Sequence, residues 1–120
     1  MSSRNFRDDD VLTAEEATAW LSRGGERVGS GQSPALGVRE VERIDRVLVG
    51  DGGDPVEVIL ALYGDADKAI TSSGALVRAV REEYPDRPLQ RFNYGRTVVL
   101  AIGDSARADA VLRILREEAN

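Results

Sequence analysis

The sequence predicts a small α/β domain of α+β character: a three-stranded mixed sheet packed by about three helices in the order α-β-β-α-β-α. Three observations carry this. A capped amphipathic helix opens the chain near Thr13. Two β-rich runs, 38–49 and 56–63, flank a turn cluster. A strand, Gly-Asp, helix pattern then occurs twice, in 58–83 and 98–118.

Residues 1–10 are polar and aperiodic, with Asp8, Asp9 and Asp10 in a row, and are expected to form a tail outside a single domain covering 11–120. Thr13-Ala14-Glu15-Glu16 has the capping-box spacing, in which the threonine hydroxyl accepts from the third helical amide and Glu16 reaches back to the cap amide. The helix it starts runs to about Arg23, turns Ala17, Trp20 and Leu21 to one side, and stops at Gly24-Gly25. Between Gly24 and Gly37 five glycines and one proline occur without a period, which reads as a loop.

Residues 38–49 fit either a helix or a strand, and the turn cluster Gly50-Asp51-Gly52-Gly53-Asp54-Pro55 decides for a hairpin with Val56–Tyr63. Val58-Ile59-Leu60-Ala61-Leu62-Tyr63-Gly64-Asp65 is echoed by Val98-Val99-Leu100-Ala101-Ile102-Gly103-Asp104, and Ala75–Glu83 by Ala110–Glu118. Helices are therefore expected near 66–84 and 105–118. The two near-continuous apolar strands are expected to be parallel and covered by helices. The order resembles the ferredoxin-like plan in part, with a helix where that plan has its fourth strand. Leu21, Ile59, Leu60, Leu62, Val77, Val80, Val99, Leu100, Ile102, Val111, Leu112 and Leu115, with Trp20, are the expected core.

Composition narrows the chemistry. The 120-residue chain has no cysteine and no histidine, which removes disulfides, thiolate nucleophiles, Ser-His systems and histidine-ligated metals. Lys68 is the sole lysine among 16 basic residues, so anion contacts would be made by guanidinium forks. A net charge of -5 disfavours nucleic acid and anionic membranes as partners, and no run approaches 18 apolar residues. The first residues lack the apolar stretch of a secretory signal, so a cytoplasmic protein is expected, with a domain of a larger exported chain as the alternative.

Three groups of residues invite a functional reading. With parallel strands, Asp65 and Asp104 would share the carboxyl edge of the sheet, where a ligand or, with Asp67 and Asp109, a divalent ion could bind. The competing reading is that each aspartate caps the helix that follows it. The glycine loop lacks the lysine of a phosphate-binding loop and follows a helix, so it reads as a connection.

Arg87–Arg96 is basic and aromatic. Phe92 and Tyr94 could stack bases, with Arg91 and Arg96 on phosphates, in a faint resemblance to the aromatic strand of RNA-recognition motifs without their consensus. They could equally pack on the core. Trp20 could anchor a partner or seat its helix.

The leading expectation is a non-catalytic binding or regulatory module acting through protein contacts, with another protein or a second copy as partner and no cofactor. The few strands and open edges favour docking. The alternative is an anion- or metal-binding domain using Asp65, Asp104, Tyr94 and Arg96, with carboxylate chemistry if it is an enzyme. Single-stranded nucleic acid bound on Arg91, Phe92, Tyr94 and Arg96 comes third.

Overall fold

A computed structural model describes residues 10–34, 36–50 and 54–119. The elements in chain order are α1 (Ala14–Arg23), β1 (Val28–Gly31), β2 (Val41–Val49), β3 (Val56–Tyr63), α2 (Ala66–Thr71), α3 (Ser73–Glu83), β4 (Leu89–Tyr94), β5 (Thr97–Ile102) and α4 (Ser105–Ala119). Residues 1–9 of the expected 1–10 tail lie outside the described residues. Asp10 itself is held, its carbonyl accepting the Arg96 N–H at 2.9 Å.

The expected three-stranded mixed sheet is overturned. The strands form one five-stranded sheet in the order β1-β2-β3-β5-β4, and every neighbouring pair is antiparallel. With four helices the class is α+β.

Two strands account for the difference. β4 is the Leu89–Tyr94 stretch, joined to β5 by a two-residue turn at Gly95-Arg96. Gly95 has φ 55 and Arg96 does not share the positive φ, which suits the glycine-first hairpin turn whose twist matches its strands. The crossover through α2 and α3 therefore delivers the chain to β4, parallel to β3, and leaves a one-strand gap. β5 fills that gap running the opposite way, so the echoed segments are neighbours but antiparallel, Glu57 facing Ile102 and Leu62 facing Thr97. The other new strand, β1, lies inside the expected loop 24–37 and pairs with β2 from Val28↔Val49 to Gly31↔Arg46.

Helices cover both faces of the sheet. On one face α1 and α4 bury Ala17, Leu21, Val111, Leu112 and Leu115 against Val47, Val58, Leu60 and Val99. On the other, Ala69 of α2 with Leu76 and Val80 of α3 close over Ile59, Tyr63, Val98, Leu100 and Ile102. This is why β3 and β5 read as continuous apolar runs: each alternate side chain enters one of two cores. Of the expected core residues, Trp20, Leu62 and Val77 are only half-buried.

The first helix starts on the expected capping box, Thr13 Oγ1 accepting the Glu16 amide at 3.1 Å and Glu16 Oε1 accepting the Thr13 amide at 3.3 Å. The helix expected over 66–84 is broken at Ser72 into α2 and α3.

Candidate functional site

The antiparallel sheet separates the two Gly-Asp turns. Asp65 follows the end of β3 and Asp104 the end of β5, at opposite ends of the sheet and roughly 20 Å apart for strands of this length. Each accepts an amide of the helix it precedes: Asp65 Oδ1 from Lys68 at 2.8 Å and Asp104 Oδ2 from Arg107 at 3.1 Å. Asp109 pairs with Arg113 at 3.4 Å on the α4 surface. Among the described residues no group of three or more acidic side chains is placed to hold a metal ion.

The basic aromatic stretch is divided between the sheet's two faces. Phe92 and Tyr94 point to the α1/α4 side, where the Arg116 guanidinium lies 5.5 Å from the Phe92 ring centre. Trp20 meets Tyr94 edge-on, with centroids 5.8 Å apart and planes at 71°. These three rings are half-buried against the core and each has at least one face or edge taken. Arg91 points the other way, donating to Ser73 Oγ and to Asn93 Oδ1. Arg96 closes the hairpin end, donating to the Tyr63 carbonyl at 2.9 Å and to Glu42 at 3.4 Å.

The most organised polar cluster is one that the sequence reading did not single out. Glu57, in β3, has a side chain only 12% exposed. It accepts from Arg46 at 3.2 Å and Tyr84 at 2.9 Å on one oxygen, and from Arg87 at 3.1 Å on the other. Arg87 also donates to Asp54 at 2.8 Å, tying the β2–β3 turn to the α3–β4 connection. Burial pushes the Tyr84 hydroxyl pKa up; the Glu57 hydrogen bond and charge add to this, and Arg46 opposes it. Its charges are matched, and although the buried Arg46 Nε makes no hydrogen bond with any described residue, the cluster ties elements together.

What remains is the β1 edge. Gly50 N–H donates to the Arg27 carbonyl at 2.7 Å, so Arg27 sits in a hydrogen-bonded pair. Antiparallel alternation then turns Gly29 and Gly31 inward to β2 and leaves Val28 and Ser30 with N–H and C=O facing outward. Among the described residues no strand takes that outer side. Gly29 needs no glycine for the fold: its φ is negative and a Cβ there would meet nothing within 4 Å. A bare strand position of that kind suits close approach by another backbone. Beside β1 lies a groove of about 310 Å³ between it and the first half of α1, walled by Ala14, Glu15, Thr18 and Ser30 with Val47 below.

No protein-family model matches the chain, and neither the curated proteins nor the solved structures contain a match. Among the described residues no helix is long and apolar enough to cross a membrane.

Proposed function

We propose that this protein is a non-catalytic binding module that takes an extended segment of a partner protein as an added strand along β1. The observation that supports the reading most is the outward-facing backbone of Val28 and Ser30 beside the α1/β1 groove. Strand addition draws affinity from main-chain hydrogen bonds and specificity from side chains entering such a groove at alternate positions. Asp65, Asp104, Arg96 and Glu57 already have structural work, as helix caps, a hairpin closure and the Glu57 network.

The test uses proline at a chosen register. Ser30 N–H faces outward, so Ser30→Pro removes a donor to an added strand while keeping every β1–β2 bond. Peptides selected from a random library on the folded chain should shift the amide resonances of Val28, Ser30 and Ala14–Thr18. Ser30→Pro should weaken their binding at least about tenfold with an unchanged unfolding midpoint, consistent with losing roughly one well-made hydrogen bond. Selected peptides that shift residues elsewhere, or that bind Ser30→Pro undiminished, overturn the reading.

A further inference from the structure

Resting on the strand-addition reading, we infer that the segment taken at β1 is aliphatic at alternate positions and carries a lysine or arginine that meets Glu15. The groove, of about 310 Å³ and walled by the small residues Ala14, Thr18 and Ser30 over the buried Val47, has room for aliphatic side chains projecting from every second residue of an added strand. One uncompensated charge stands on its wall. Glu15 is exposed at the second position of α1 and makes no ion pair with any described residue. Arg46 also borders the groove, but its guanidinium is turned to the opposite sheet face and engaged with Glu57 and Tyr84. The groove is therefore apolar with a single negative rim.

An acid at this position also suits the helix dipole, which explains its presence on α1 but not the absence of a compensating cation beside an apolar groove. A basic side chain from the added strand would supply that cation. An acidic one would be repelled both there and by the chain's net charge of -5.

Three capped seven-residue peptides that alternate threonine and valine with threonine at both ends, differing only in replacement of the central valine by arginine, glutamine or glutamate so that the variable side chain shares the groove face with the two remaining valines, test this against the full chain by isothermal titration or amide shifts. The arginine peptide should bind at the Ser30→Pro-sensitive edge at least about fivefold tighter than the glutamate peptide, with a preference that shrinks as salt rises. Glu15→Gln should level the series and Glu15→Lys should reverse it. Equal binding of all three peptides at that edge, or a preference untouched by Glu15→Lys, overturns the charge inference while strand addition stands. Binding of all three that ignores Ser30→Pro, or of none, overturns strand addition and this inference with it.

Discussion

Replacing Glu57 by glutamine should cost about 2 kcal/mol of folding stability, a value bracketed by two known limits. Removing one partner of a fully buried ion pair costs about 3–5 kcal/mol, whereas an exposed pair contributes about 0–1 kcal/mol. The Glu57 side chain is 12% exposed, but Arg46 and Arg87 are 24% and 29% exposed, which moves the expectation between these limits. The amide keeps the volume and one acceptor. It loses the charge and turns an N–H₂ toward a guanidinium or toward the Tyr84 hydroxyl. In a domain of this size a loss of about 2 kcal/mol corresponds to roughly 8 °C in Tm. Urea unfolding of the wild type, Glu57→Gln, Tyr84→Phe and the double variant measures the loss and its coupling, with an unchanged m-value confirming that the unfolded state is not the cause. A cost under about 0.5 kcal/mol with no coupling to Tyr84 would refute the argument, because the network would then be behaving as a solvated surface pair.

Two further outcomes follow from particular residues. Burial raises the hydroxyl pKa values of Tyr63, Tyr84 and Tyr94 above the ordinary 10.0; Arg91 opposes this at Tyr63, and Asp10 and Glu16 add to it at Tyr94. The unfolded chain therefore gives up these protons first, so the stability they represent is intact below pH 10 and falls as pH rises from there through the folded values. The urea midpoint should drop between pH 9 and 11, and native tyrosinate absorbance that titrates like the denatured protein's would contradict this. Glycine replacements should diverge sharply: Gly103→Ala, at φ +145 with Val56 Cα 3.4 Å from the new methyl, should cost about 2 kcal/mol, while Gly29→Ala, unstrained and open, should cost nothing or stabilise by about 0.5 kcal/mol. Equal effects in thermal unfolding would show that backbone conformation does not distinguish the two sites.

The parts of the fold that were legible in the sequence are those encoded locally. The capping box, the stop at Gly24-Gly25 and the β2–β3 hairpin each depend on residues within one turn of each other, and the structure has them where expected. Strand direction departs from the parallel expectation for a physical reason. Continuous apolar runs in β3 and β5 mean only that both faces are covered; parallel sheets are the common way to achieve that, and here two pairs of helices achieve it for an antiparallel sheet. The contrary signal lies in Tyr94-Gly95-Arg96-Thr97, a glycine-first two-residue hairpin turn inside the basic aromatic stretch. β1 offered no such signal, since Val-Gly-Ser-Gly has neither alternation nor propensity and becomes a strand only because β2 presents an edge. Glu57 was a visible oddity, one acid in an apolar strand. Its partners lie 11, 27 and 30 residues away and could not be read locally.

A sheet covered on both faces has only its edges left to offer, and the two edges here differ in what an added strand would meet. At β4 the α1/α4 side is already occupied by Phe92 under Arg116 and Tyr94 against Trp20, and on the other side Arg91 and Asn93 flank the strand. An exposed charge on an edge strand is a recognised guard against unwanted pairing. At β1 the guard is shortness: four residues are too few to recruit a strand by backbone bonds alone. The adjoining groove alters that balance for segments whose side chains fit it, because apolar burial then adds to the backbone bonds. Lengthening the strand without changing the groove should therefore relax selectivity, and filling the groove should remove binding while leaving the edge in place. Val47 is the floor of the groove but also part of the core, so the variant that separates these effects is Thr18→Leu, on the half-buried wall of α1. It should abolish capture of the alternating peptides with little change in the unfolding midpoint. Undiminished binding by Thr18→Leu would mean that the backbone edge alone accounts for recognition.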